Sequence, residues 1–330
     1  MEGTYITYYT YGNPRDVLKI ECRRSERPGP GELVVRMTLA PINPSDLIPV
    51  RGAYAHRMTL PLIPGYEGVG TVVEVGPGVA ASEWLGKRVL PLRGEGTWQE
   101  YVKAPAAWAV PVPDAVEDYT AAQLYINPVT AWLTCTEVLA LRGTGGTLLV
   151  NACGSAIGRL YTQLSQVLGF RLIAVTRSSR HTAELLRLGA EHVIDTSRCS
   201  LHASVMEITK GRGADAAVDS VGGSAGLELA SCLKPEGSYV TIGLLSGEPI
   251  NWADLMRTSK VSAKLFHLRH WNKEATTQAW QDIFHQIIGL LGSGSMTFRK
   301  PAASYPLSAV HEAVSAAESG KGAKIFLTSG

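Results

Sequence analysis

The sequence predicts an α/β chain of two domains, one β-rich and one a doubly wound parallel sheet covered by helices on both faces. Three observations carry this. The 330 residues are 45% hydrophobic and 18% charged, enough apolar material for two cores. Up to about residue 120, short Val-rich runs are punctuated by Pro and Gly. Beyond it, apolar strand-like runs alternate with helix-like ones, which is the pattern of right-handed βαβ units in a parallel sheet.

In the first region the expected strands are Glu32–Thr38, Gly68–Val75, Arg88–Pro91, Gln99–Lys103 and Ala107–Pro111. The Ala-rich stretch Ala121–Leu141 predicts one helix leading into the second domain. There the strands are Thr147–Ala152, Arg171–Thr176, His192–Ile194, Ala214–Asp219 and Ser238–Ile242, followed by a further strand over Lys260–Leu268. A helix through Leu291 and a closing segment, Ala323–Leu327, return the chain to the first domain. Residues 1–122 and 271–330 thus form the β-rich domain, and residues 123–270 the parallel one.

Composition excludes some functions. The formal net charge is +2 and no run of five like charges exists, so nucleic acid is not an expected partner. No stretch reaches about eighteen apolar residues, so no membrane span is expected. The five cysteines, Cys22, Cys135, Cys153, Cys199 and Cys232, form no CxxC pair and no metal-spaced cluster with His. They read as buried thiols, and the expectation is a soluble cytoplasmic protein without a metal site.

The segment Thr147-Leu-Leu-Val-Asn-Ala-Cys-Gly-Ser-Ala-Ile-Gly158 runs from an apolar strand through small residues into a helix. Small residues let the backbone approach a pyrophosphate, and the free N–H groups at the helix start favour an anion. Gly154, Ser155, Ala156 and Ile157 are the candidate contacts. The segment departs from G-x-G-x-x-G, so an ordinary turn is the alternative. After the next strand comes Arg177-Ser-Ser-Arg180, without the acid that would hold a ribose 2′-hydroxyl. Arg177, Ser178, Ser179 and Arg180 suit a 2′-phosphate, hence NADPH; the alternative is arginines that merely solvate a strand end.

Over nearly its whole length the chain resembles the medium-chain dehydrogenase/reductase superfamily, on Pro28-Gly-Pro-Gly-Glu32, Pro64-Gly-Tyr-Glu-Gly68 and the dinucleotide half. Zinc members carry Cys and His where this chain reads Asn43-Pro-Ser-Asp46 and Gly65-Tyr-Glu67, so a zinc-free enzyme is implied. Within the superfamily it is most similar to the 2-enoyl thioester reductases. The motifs are Ile42-Asn-Pro-Ser-Asp46, Arg51-Gly-Ala-Tyr54, Gly94-Glu-Gly-Thr-Trp98, Ile126-Asn-Pro-Val-Thr-Ala131, Val150-Asn-Ala152, Glu191-His-Val-Ile194 and Ser220-Val-Gly-Gly223.

The resemblance implies a GroES-like catalytic domain beside a Rossmann NADPH-binding domain, and hydride transfer to the β-carbon of an enoyl thioester. It makes Tyr54 the proton donor. Asn127, the segment Ile242, Gly243, Leu244 and Leu245, the segment Phe266, His267 and Leu268, and Lys324 would lie at the cofactor. The family has Trp where this chain has His267, which either adds a second proton source or fills space. A homodimer is implied by the same resemblance. A quinone or enone reductase, acting on a conjugated carbonyl, and a non-catalytic NADPH-binding protein are the competing readings.

Overall fold

The computed structural model describes residues 1–319 and 324–329, and they divide into two compact units. One comprises Met1–Ile126, Thr276–Gly289 and the described residues from Thr297 onward; the other comprises Asn127–Ala275 and Leu290–Met296.

The first unit begins with a ribbon the sequence did not signal, β1 (Glu2–Thr7) antiparallel to β2 (Lys19–Arg24). Its main sheet starts with β3 (Glu32–Pro41), β4 (Val69–Val75), β5 (Arg88–Leu90), β6 (Tyr101–Pro105) and β7 (Val110–Pro111). β3 is the spine: it pairs antiparallel with both β4 and β6. Residues 106–108 form a 3-10 turn rather than the start of the expected last strand. Between β3 and β4, helix α1 (Pro44–Val50) lies over a core of Ile6, Tyr8, Ile42, Leu47, Val50 and Trp98.

The expected helix over Ala121–Leu141 is interrupted. A turn at residues 122–125 separates Asp118–Ala121 from α2 (Ile126–Leu133), which passes into a π-helical turn at Thr134–Val138. The buried carboxylate of Glu67 accepts the N–H groups of Tyr125 at 3.1 Å and Ile126 at 2.8 Å. A carboxylate that accepts these first-turn N–H groups starts a new helix there.

The second unit is a six-stranded parallel sheet: β8 (Thr147–Val150), β9 (Arg171–Thr176), β10 (His192–Asp195), β11 (Ala214–Asp219), β12 (Leu233–Thr241) and β13 (Ser262–Leu265). Their order is β10-β9-β8-β11-β12-β13. The winding direction reverses between β8 and β11, and ligands of such sheets bind outside the carboxyl ends of the strands at that point. Helices α3 (Ala156–Leu168), α4 (Thr182–Leu188), α5 (Leu201–Ile208), α6 (Gly223–Ser231) and α7 (Trp252–Thr258) link the strands. Leu149, Ile173, Val205, Leu229 and Tyr239 are central to one core, each 1% exposed or less.

Two expectations change here. The strand over Lys260–Leu268 is only β13, because Leu268 opens helix α8 (Leu268–Glu274) with His267 as its cap. The strand through Ala152 ends at Val150, and Ala152 has φ +47°, in the left-handed region of a turn.

The chain then runs through α9 (Thr277–Gly292) to β14 (Ala303–Pro306), α10 (Val310–Glu318) and β15 (Ile325–Thr328). β15 pairs antiparallel with β3 and parallel with β14, completing the first unit's sheet. Ala323, the start of the expected closing segment, lies outside the described residues. Cys22 and Cys199 are exposed, which corrects the expectation that every thiol is buried; Cys135, Cys153 and Cys232 are buried, and no cysteine is paired. Among the described residues no helix is long and apolar enough to cross a membrane.

Candidate functional site

In the second unit the ends of β8, β9, β11 and β12 bring most of the sequence candidates together. After β8 the turn Asn151–Ser155 leads into α3, whose cap is Ser155, its Oγ accepting the Gly158 N–H at 3.2 Å. The remaining first-turn N–H groups, among them those of Ala156 and Ile157, have no partner within the helix. A Cβ on Gly158 would lie 2.5 Å from the Cys153 Cα and carbonyl oxygen, so only glycine lets the helix press this closely on the turn. Burial pushes the Cys153 thiol up to about 12, which leaves it inert.

β9 ends at Thr176, whose hydroxyl donates to the Ser178 carbonyl at 2.9 Å and curls the chain outward. Arg177, Ser178, Ser179 and Arg180 are all exposed, and among the described residues neither arginine forms a salt bridge. The loop offers two guanidinium groups and two hydroxyls and no carboxylate.

On the other side of β8 from β9, Asp219 is fully buried at the end of β11. Its Oδ1 accepts Asn151 Nδ2 at 2.5 Å and the N–H groups of Val221 at 2.8 Å and Gly222 at 3.0 Å; its Oδ2 accepts the Tyr239 hydroxyl at 2.5 Å. Burial, reinforced by this carboxylate, pushes the Tyr239 phenol far above its ordinary value. The loop so fixed holds the next: Leu245 N–H donates to the Ser220 carbonyl at 3.0 Å, and Ser246 N–H to Val221 at 3.0 Å. Ile242 and Gly243 are half-buried in that segment, while Leu244 and Leu245 are exposed.

Phe266 N–H donates to the Thr241 carbonyl at 3.0 Å, bringing the 266–268 segment beside Ile242. His267 Nδ1 accepts the Arg269 N–H at 3.2 Å, and its ring lies 5.5 Å from that of His270. With Nδ1 accepting, a neutral His267 carries its proton on Nε2. Leu268 is buried, so its side chain serves the core. Asn127, half-buried, sits in the first turn of α2.

The first unit holds the other candidates. Tyr54 precedes a 3-10 turn at Ala55–Arg57, and the Arg57 guanidinium stacks 3.7 Å from its ring centroid. Nearby is Tyr66, whose phenol is raised by burial and then by Asp46 and Tyr54, with Arg57 opposing. Lys324 donates through Nζ to Asn43 Oδ1, and Asn43 Nδ2 donates to Glu67 Oε1 at 2.8 Å. Asp46 accepts the N–H groups of Asn43 at 2.7 Å and Tyr66 at 3.1 Å. Burial raises Asp46 to about 7 and raises Glu67, while burial lowers Lys324 against the pull of both acids. Among the described residues no group of three or more His, Cys, Asp or Glu could hold a metal ion.

Sequence reading missed Asp219, Arg159, Glu184 and Tyr66. An acid closing an apolar strand before Ser-Val-Gly-Gly was a usable signal for Asp219, because a buried acid needs donors. The pairing of Arg159 with Glu184, twenty-five positions apart, had none.

A doubly wound sheet with an anion-ready helix start at its switch point, and a separate β-rich unit, define a class: two-domain dinucleotide-binding oxidoreductases. Residues 29–114 match the family model of the alcohol dehydrogenase GroES-like domain, and residues 156–284 that of the zinc-binding dehydrogenases. The chain is 31% identical over 296 residues to the mitochondrial enoyl-[acyl-carrier-protein] reductase of Xenopus tropicalis, spanning 86% of this chain and 82% of that protein. It is 32% identical over 249 residues to the Homo sapiens synaptic vesicle membrane protein VAT-1 homolog, spanning 74% and 62%. A solved structure of a putative NADPH:quinone reductase from Bacillus thuringiensis matches with a TM-score of 0.97 and 56% identity over 100% of both chains. This chain belongs to the medium-chain dehydrogenase/reductase family.

Proposed function

We propose that the chain is an NADPH-dependent reductase that delivers hydride to the β-carbon of an α,β-unsaturated thioester, with Tyr54 as proton donor. The observation that carries the cofactor is the exposed Arg177–Arg180 loop, free of carboxylates, beside a Ser155-capped helix start. These residues fit the group: first-turn N–H groups for the pyrophosphate, and the Arg177 and Arg180 guanidiniums with the Ser178 and Ser179 hydroxyls for a 2′-phosphate. Bound there, NADPH supplies the hydride. Asn127, Ile242–Leu245, the 266–268 segment and Lys324 are assigned to the nicotinamide end.

When hydride reaches the β-carbon, negative charge collects on the thioester oxygen, and the α-carbon then takes a proton. Tyr54 can meet either need, since a phenol O–H both donates to an oxyanion and gives up its proton. Arg57, stacked on the Tyr54 ring, adds a positive charge beside the phenolate left behind. His267 Nε2–H is a second donor, its ring held by the cap bond to Arg269. The enoyl reductase relatives support the thioester. A second reading, hydride transfer to a quinone, is favoured by the 56% identical putative quinone reductase. We also propose a homodimer formed along the edge strand β13, where Leu265 is exposed, and the unpaired thiols suit a reducing compartment.

NADPH consumption with crotonyl-CoA and with 1,4-benzoquinone tests this. The thioester is expected to be used with the higher kcat/KM, and Tyr54→Phe to lower its turnover at least about tenfold while NADPH affinity stays nearly intact. Faster quinone reduction, with turnover unchanged in the variant, overturns both the thioester and the role of Tyr54. NADPH binding without consumption of either substrate supports a non-catalytic protein.

A further inference from the structure

Arg159 occupies the first turn of α3, where a cation opposes the positive end of the helix. Its side chain is only 8% exposed and does not turn outward to an anion. Nη1 donates to the Gly154 carbonyl and, at 3.2 Å, to the Ser155 carbonyl. Nε and Nη2 each lie 3.0 Å from a different oxygen of Glu184, and Nη2 is 3.3 Å from His181 Nδ1. The unfavourable position is thus offset by a two-pronged ion pair, and every contact is to one of the two loops of the cofactor site or to α4 behind them.

We propose that Arg159 is a positioning residue that ties the pyrophosphate turn and the 2′-phosphate loop into one rigid cradle; this rests on the NADPH reading. On the turn side, a planar trans peptide points its carbonyl and its N–H in opposite directions. Holding the Ser155 carbonyl inward therefore turns the Ala156 N–H outward, where an anion is expected. On the loop side, His181 directly follows Arg180 and is held between Arg159 and Glu184, 4.0 Å from Glu184 Oε2. The His181 ring lies on Gly154, where a Cβ would fall 2.4 Å from His181 Cδ2. The fork geometry is needed: lysine has a single donor centre and cannot bridge two carbonyls, a carboxylate and an imidazole at once.

The test is binding of NADPH and NADH, followed by nicotinamide fluorescence, to the wild-type protein and to Arg159→Met, Arg159→Lys, Arg177→Ala and the Arg159→Met/Arg177→Ala pair. Arg159→Met/Glu184→Met removes the carboxylate that the first variant would leave buried and unpaired. Arg159→Met is expected to weaken NADPH about tenfold or more and NADH less, with Arg159→Lys recovering only part of the loss. The Arg177→Ala penalty is expected to shrink at least about threefold in the Arg159→Met background, because a loop no longer held gains less from its arginine. An equal Arg177→Ala penalty in both backgrounds overturns the proposal. So does NADPH affinity within about twofold of wild type in a folded Arg159→Met/Glu184→Met protein. A wild-type protein that binds no NADPH instead overturns the cofactor reading itself.

Discussion

Replacing Asp219 by Asn changes one atom and one charge at the point where three strand ends meet. The carboxylate accepts from Asn151, Val221, Gly222 and Tyr239, at 2.5 to 3.0 Å. An asparagine whose oxygen keeps the Oδ1 position retains three of these bonds as neutral ones, and its NH₂ faces the Tyr239 hydroxyl, which must rotate to accept. Each charge-assisted bond exceeds its neutral counterpart by about 1 kcal/mol, and the four share one acceptor group, so the loss comes to about 3 kcal/mol. No room exists to relax, since Gly226 packs so closely that a Cβ there would lie 2.6 Å from Asp219 Oδ2. For a chain of 330 residues, with an unfolding entropy of about 0.7 kcal/mol per kelvin, the melting temperature should fall by about 4 °C. The loop at 220–223 supports Leu245 and Ser246, so NADPH affinity should drop about tenfold as well. Scanning fluorimetry with and without NADPH measures both quantities. A melting point within about 2 °C of wild type, with unchanged affinity, refutes the view that this hub holds the cofactor loops.

Arg177→Ala should weaken NADPH about tenfold or more relative to NADH, the value of a charge-assisted phosphate contact, and equal losses for both cofactors in paired titrations would remove the 2′-phosphate assignment. Gly158→Ala must push α3 away from Cys153 by about 1 Å, since its Cβ would sit 2.5 Å from backbone; about 1–3 kcal/mol of stability should go, read by urea unfolding, together with NADPH binding. Asp46 makes stability depend on pH. Its carboxyl titrates at 3.8 in an open chain and at about 7 when buried, so between these values the unfolded chain releases a proton that the folded one keeps. The contribution is therefore full below pH 3.8 and is lost as pH rises to about 7, at up to about 1.4 kcal/mol per pH unit. Asp46→Asn has no such proton, and its unfolding midpoints across that range should form a flatter curve than those of wild type; parallel curves would contradict the assignment.

The parallel sheet was legible because its strands are buried on both faces and read as unbroken apolar runs: Arg171–Thr176 and Ala214–Asp219 fall where the pattern puts them. The ribbon of β1 and β2 was not, because Lys-Ile-Glu-Cys-Arg-Arg has one face open to solvent and too little apolar content to mark a strand. The break in Ala121–Leu141 was invisible for a different reason: it is made by Glu67, far back in the chain. Helix propensity along a segment says nothing about a carboxylate arriving from elsewhere. His267 showed in the sequence as a departure from the family, while its capping bond to Arg269 needed the backbone to be seen.

The sequence by itself determined the two-domain α/β plan, the small-residue turn into a helix, and the absence of an acid beside Arg177 and Arg180. All of these are local, set by periodicity and by which residue types stand next to one another. Tertiary structure alone decided how those loops are held. The Arg159–Glu184–His181 link and the Asp219 hub join residues twenty to seventy positions apart, and a buried charge is stable only where folding brings its partners within hydrogen-bond reach.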